Sequence, residues 1–291
     1  ITFQGIFAMN GNIFGGSNVT TTVTDSTIVG TGASTITIEN ISIITGGSIN
    51  VYGGSKSTAG YMEGNVTTTL NSGNVTNIYG GGYGSGVQGT TNITIENGLV
   101  NGNVFGGGQN GEARTVSNIT VLGGTISGNI YGGNDNSDIT KDTISQDINI
   151  IIGDTDATKA PTINGNIYGS GQKDNVDKVI IELIEAADTT TVFGGSDENA
   201  VTATAEIYLK GMTVDNIYGG GQSAGTVENA KIYLQAGTAT DVYGGGYAAN
   251  VTTSNISLQG ITIETEVEGE IVSQEVTATV GSIYGGSNNG G

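Results

Sequence analysis

Residues 87–108 read V-Q-G-T-T-N-I-T-I-E-N-G-L-V-N-G-N-V-F-G-G-G. Ile93 and Ile95 flank one Thr, a period of two that marks a half-buried strand. Val100 and then Val104-Phe105 form two further short apolar runs, each set off by Gly or Asn. The stretch predicts three short strands joined by tight turns. The same order returns along the chain, with paired apolar positions at Ile119/Val121, Ile207/Leu209, Ile232/Leu234 and Ile256/Leu258. Helical periodicity is nearly absent, and Val179 to Ala187 reads as a strand because Val179, Ile181 and Leu183 alternate.

The quoted stretch closes on a tetrapeptide that recurs ten times: Ile or Val, then Phe or Tyr, then Gly, then Gly or Ser. Its aromatic residues are Phe14, Tyr52, Tyr79, Phe105, Tyr131, Tyr168, Phe193, Tyr218, Tyr243 and Tyr284. Successive separations are 38, 27, 26, 26, 37, 25, 25, 25 and 41 residues, one period near 26 with three insertions, at about 17–47, 134–161 and 260–280. A unit this small cannot bury its own apolar face, so units must stack. The expected fold is all-β, a single parallel β-helix (β-solenoid) over residues 1–291. It has about ten coils with three short strands each, and each strand lies about 4.8 Å above its predecessor. Propeller blades need about 40 or more residues, which argues against that rival.

Composition limits the chemistry. Of 291 residues, 52 are Gly and one is Pro, without the every-third-residue glycine of collagen. There is no Cys, His or Trp, which removes thiol nucleophiles, His-based triads, disulfides and ordinary zinc, copper or haem sites. No cofactor is expected. The net charge of -19 repels phosphate backbones and anionic headgroups, so neither nucleic acid nor membrane insertion is expected. No stretch approaches the roughly 20 apolar residues of a membrane span. The start, Ile1-Thr2-Phe3, lacks a basic leader and reads as a mature product or an excised piece. A long chain without Cys fits an extracellular, secreted or cell-surface protein.

The residue before the tetrapeptide is Asn in seven of ten cases, at Asn12, Asn50, Asn77, Asn103, Asn129, Asn166 and Asn216, and stacked amides can bond coil to coil. The glycine pair is expected to supply positive-φ corners where a Cβ would clash. The aromatic column reads as a stacked structural ladder, with sugar stacking by exposed rings as the alternative. Phe at three positions makes the hydroxyl dispensable, while Tyr at seven places the ring tip near water.

Calcium or another hard cation needs clustered oxygen ligands. Only Asp135, Asp138, Asp154 and Asp156, with Asp197-Glu198, offer local carboxylates, and a systematic calcium roll is not expected. A hydrolase would need facing carboxylates, and the candidates are Asp135/Asp138/Asp142, Asp154/Asp156 and Asp174/Asp177. No catalytic residue is assigned. Asn-x-Ser/Thr sequons at Asn18, Asn40, Asn65, Asn74, Asn92, Asn118, Asn250 and Asn255 read mostly as strand and turn composition. An ice-binding threonine face is disfavoured, because Thr94 and Thr120 give way to Tyr208, Tyr233 and Ser257 at the equivalent position. Ile261 to Val276 alternates apolar and acidic residues around Glu268-Gly269 and predicts a protruding hairpin, with Glu264, Glu266, Glu268 and Glu270 solvated. Beyond Tyr284 only Ser287 to Gly291 remain after the last glycines, without the polar cap of an independent solenoid.

The unit, seen best at Asn77 to Gly82, Asn103 to Gly108, Asn216 to Gly221 and Asp241 to Gly246, resembles the tandem "VYGGG" repeats of large surface proteins of gut Firmicutes, Bacteroidetes and some methanogens. The resemblance covers nearly the whole chain. It implies a secreted, adhesin-like β-solenoid. The expected function is a non-catalytic structural or adhesive rod forming a surface stalk or filament. Its expected partners are adjacent repeats or further copies of the same protein, and host or microbial glycans or surface proteins. The rival is a glycan-binding or glycan-cleaving β-helix of the carbohydrate-active or tailspike kind.

Overall fold

The computed structural model describes residues 1–3, 7–19, 28–43, 45–135, 146–155, 159–172, 175–187, 189–267 and 270–289. No α-helix occurs among them, and none could cross a membrane as a helix. The paired apolar positions build one parallel ladder: Ser34–Ile38, Val66–Leu70, Thr91–Ile95, Val116–Val121, Asp147–Ile152 and Val176–Leu183, continued by Val201–Tyr218, Thr226–Tyr243 and Asn250–Leu258. Through the alternating segment the register is kept residue for residue, shifting only at Lys210 against Ala236, so Ile36, Thr68, Ile93, Ile119, Ile150, Ile181, Ile207, Ile232 and Ile256 form one inward column. A one-residue slip would turn every such side chain outward, which is why the alternation holds the stack. The chain is a parallel β-solenoid.

The second expected run stacks as Asn74–Val75, Leu99–Val100, Thr125–Ile126 and Thr162–Ile163. The third stacks as Asn77–Tyr79, Val104–Phe105, Ile130–Tyr131 and Ile167–Tyr168. In two coils, Val201–Tyr218 and Thr226–Tyr243, the separate runs fuse into single strands of 18 residues, and beyond them Asn250–Leu258 and Thr279–Tyr284 are separate again. A short fourth ladder, not foreseen, joins Ile28–Gly30, Tyr61–Met62 and Gly86–Val87. One apolar core of buried Ile, Val and Leu runs the length of the rod, from Ile13 to Val242.

The glycine expectation needs correction. No glycine of the repeated tetrapeptide has positive φ; the left-handed glycines lie elsewhere, as at Gly98 (φ 103°) and Gly124 (φ 78°), each just before a strand of the second run. What excludes a side chain from the motif corner is the next coil: a Cβ on Gly106 would lie 2.1 Å from Gly132 O. Close approach of stacked backbones, not dihedral freedom, demands glycine there.

The insertions are narrower than the spacing suggests. Asn18 to Ile28 spans ten positions where the paired Lys56 to Tyr61 spans five, and Ile41 to Ile49 spans eight where Gly73 to Thr76 spans three. The extra length of 17–47 is thus split between two corners, and the strands between them belong to the regular coil. In 134–161, the extra length likewise falls in two places, between Asp135 and Asp147 and between Ile152 and Thr162. The third insertion is an antiparallel hairpin, Ile261–Val267 with Glu270–Val276, closed between Val267 and Glu270. The side chains of Glu264, Glu266, Glu268 and Glu270 lie outside the described residues.

Candidate functional site

Each aromatic follows a core Ile or Val by one position, so the strand pleat turns its ring out of the barrel. The rings nevertheless are buried, forming a second cluster apart from the apolar core. They bury one another. Consecutive rings from Phe14 to Tyr284 stack with centroids 4.7 to 5.1 Å apart and planes within 10°. Tyr284 alone is 46% exposed, since it ends the stack.

Only the ring tips reach the surface, and there they meet a column that sequence reasoning missed. It is the residue four places after each aromatic: Asn18, Lys56, Tyr83, Gln109 and Asp135 are bridged in parallel, followed by Gln172, Asp197, Gln222, Tyr247 and Asn288. The hydroxyls reach this column two coils onward. Tyr52 donates to Gln109 Oε1 (2.6 Å), Tyr79 to Asp135 Oδ2 (3.2 Å), Tyr131 to Asp197 Oδ2 (3.1 Å) and Tyr168 to Gln222 Oε1. The Tyr218 hydroxyl accepts from Asn288 Nδ2 (3.0 Å). Where the ring is Phe14 or Phe193 and has no hydroxyl, the residue at the matching position is Tyr83 or Tyr247, whereas Phe105 is matched by Gln172. That complementarity between positions about 55 to 70 residues apart was the available signal.

Burial, reinforced by the Asp135 carboxylate, pushes the Tyr79 phenol well above its ordinary value. Burial raises Tyr131 against an opposing Asn129 hydrogen bond, with Asp197 adding to the rise. Tyr52 and Tyr168 rise to about 12, again chiefly by burial. These hydroxyls are therefore protonated donors at any physiological pH.

The asparagine column forms the other wall of the groove. Asn50 and Asn77 donate amide to amide, to Asn12 Oδ1 (3.2 Å) and Asn50 Oδ1 (2.9 Å). Farther on the pattern changes: the backbone N–H groups of Asn103, Asn129 and Asn166 donate to the preceding side-chain oxygens, at 2.7 to 2.8 Å. The freed amides of Asn129 and Asn166 donate to Tyr131 and Tyr168 hydroxyls (2.9 and 3.1 Å). Thr191 interrupts the column before Asn216, and the groove opens there into a hollow of about 200 Å³. It is lined by Asn166, Thr191, Phe193, Asn216, Tyr218, Gln222 and Tyr247.

A polar hollow of about 440 Å³ lies at Asn71, Glu96, Asn97, Gly123, Gly124, Lys159 and Ala160, with Lys159 Nζ 3.5 Å from Glu96. The outer face of the long ladder carries Thr37, Thr69, Thr94 and Thr120 in register, then Ile151, Glu182, Tyr208, Tyr233 and Ser257. There Glu206 lies between Lys178 (3.3 Å) and Lys231 (3.0 Å), and Lys210 pairs with Glu182 (2.9 Å).

Of the metal and catalytic candidates, Asp135 belongs to the groove column, and Asp154 stands in the second insertion. Asp138, Asp142, Asp156 and Asp174 lie outside the described residues. Among those described, no three carboxylates gather as a metal site. Comparison with known proteins returned no match, whether to a family model, a curated protein or a solved structure.

Proposed function

We propose that this chain is a non-catalytic structural rod of a secreted or cell-surface protein, an adhesin-like solenoid whose repeats serve as stalk or filament. One observation carries this reading: the repeated side chains are spent on each other. Tyrosine hydroxyls meet Gln and Asp two coils away, asparagines meet neighbouring asparagines, and Asp135 and Asp197 accept from phenols. Groups committed in this way stiffen a stack and are poorly placed for proton transfer to a substrate. The acidic surface suits a soluble extracellular face.

Incubation with a panel of neutral and acidic polysaccharides, followed by reducing-end measurement, tests the non-catalytic part. Release of new ends that disappears in an Asp135→Asn/Asp197→Asn variant would overturn it. Antibody labelling of intact cells of the source organism tests the location, and signal confined to permeabilised cells would overturn that part.

A further inference from the structure

Tyr247 stands out among the groove residues because its ring belongs to no stack. Tyr218 has Phe193 against one face (5.0 Å) and Tyr243 against the other (4.7 Å). The Tyr247 ring, perpendicular at 87° and only 5.9 Å away, therefore meets the edge of Tyr218 with one face. No ring stacks on its opposite face among the described residues, and the residue is 41% exposed. Tyr83 repeats the arrangement on Tyr52, whose faces are covered by Phe14 (4.9 Å) and Tyr79 (4.7 Å), at 5.7 Å and 84°, with 39% exposure. Both occupy the same column, six coils apart, which places them about 29 Å from each other along the rod.

We propose that the outer faces of Tyr247 and Tyr83 are two platforms of a binding groove for neutral pyranose glycans. A flat ring edge-propped by another ring is held rigid at little entropic cost, and a sugar's C–H face packs on such a surface. Beside Tyr247 the hollow offers what sugar hydroxyls need, the Asn216 amide, the Thr191 hydroxyl and the remaining amide atoms of Asn166 and Gln222, whose Nδ2 and Oε1 are held by the Tyr168 hydroxyl, with no charged lining residue. At about 200 Å³ it lies below the range of pockets for drug-sized ligands and admits a single ring, so a chain would lie along the groove and place one residue there. Anionic glycans are disfavoured by the net charge of -19 and by Asp135 and Asp197 in the column. This assignment deepens the adhesive half of the proposed function and rests on it.

The test is saturation-transfer difference NMR on the intact chain, with soluble neutral oligosaccharides of glucose, xylose, mannose and galactose as probes. Transfer to pyranose C–H protons of at least one probe is expected. Tyr247→Ala and Tyr83→Ala should each weaken binding about tenfold, Tyr247→Phe should retain it, and the double alanine variant should abolish it. Both rings are partly exposed, so an unchanged melting curve checks that the variants fold. Tyr247→Leu, which keeps bulk without the aromatic face, should also lose binding and serves if an alanine variant unfolds. No transfer to any probe, or transfer unchanged in the double variant, would overturn the assignment, as would tyrosine-dependent binding of a basic peptide without any sugar. Cleavage of a bound probe would instead refute the non-catalytic reading and leave the platforms standing.

Discussion

Tyr131 is the sharpest place to ask whether the aromatic ladder holds the rod together. Its ring is 2% exposed, stacked on Phe105 at 4.7 Å and on Tyr168 at 4.9 Å, and its hydroxyl reaches Asp197. Tyr131→Ala removes both stacks and leaves a cavity between two coils that cannot collapse, because the backbones on either side are fixed by the parallel ladder. Aromatic-to-alanine changes in such sites cost about 3 to 5 kcal/mol. The two lost stacks account for roughly 0.5 to 1.5 kcal/mol each. If the rod melts as one unit, the midpoint should fall by roughly 6 to 20 °C. Nearest-neighbour coupling makes a second outcome equally diagnostic: the single transition splits in two, because the weakened interface uncouples the halves. Calorimetry and far-UV circular dichroism read both. Hydrogen exchange adds locality, since the N–H of Gly106, bonded to Tyr131 O (2.9 Å), should lose protection before distant coils do. Tyr131→Phe keeps the stack and loses only the tip, at a cost of about 1 kcal/mol. A single transition within about 2 °C of the parent for Tyr131→Ala, far below the shift expected of a buried ring, would refute the idea that the ladder stabilises the fold.

Three further expectations follow from the same geometry. Gly106→Ala forces a Cβ against Gly132 O at 2.1 Å and should abolish cooperative folding, whereas Gly285→Ala, with nothing within 4 Å, should leave the melting curve unchanged. In alkali the Tyr52, Tyr168 and Tyr208 phenols, raised from 10.0 to about 12, hold their protons in the folded chain after the unfolded chain has lost them. Their stabilisation is complete below pH 10 and is lost as pH climbs towards 12, so denaturant midpoints should fall across that window while ultraviolet titration shows delayed tyrosinate formation. Burial pushes the Glu206 carboxyl up, but hydrogen bonds from Lys231 and Lys178 outweigh it and hold the group below its usual value. Its contribution is present at neutral pH and disappears as pH falls through that lowered value. Glu206→Gln should therefore cost about 1 kcal/mol or less at neutral pH and nothing in acid, read by urea unfolding at both; an equal cost at both would contradict the ion-pair account.

The repeated strand pattern was legible without coordinates because core burial is a local rule: Ile93 and Ile95 point inward whatever lies above them, and a period near 26 leaves stacking as the only way to cover them. The stacked ladder was equally accessible, since one aromatic per coil at constant phase must lie above the last. The hairpin at Ile261–Val267 and Glu270–Val276 followed from alternation around a two-residue turn. What local patterns cannot carry is anything that spans coils. The motif glycines looked like positive-φ turns, and only the neighbouring backbone 2.1 Å from a Gly106 Cβ reveals that they answer to crowding. The insertion at 17–47 looked like one block, and register alone divides it between two corners.

By itself, then, the sequence determined a stacked all-β rod with its core, its period and its ring column, because those depend on spacing within a coil. Tertiary structure decided which side chains meet across coils. The residue four places after each aromatic is unremarkable along the chain, and its partner lies two coils away. Phe193, which has no hydroxyl, and the perpendicular Tyr247 line a hollow that no run of adjacent residues encodes. The physical reason is that coil-to-coil stacking joins positions 25 or more residues apart, so the chemistry of the groove is written across the repeat and not along it.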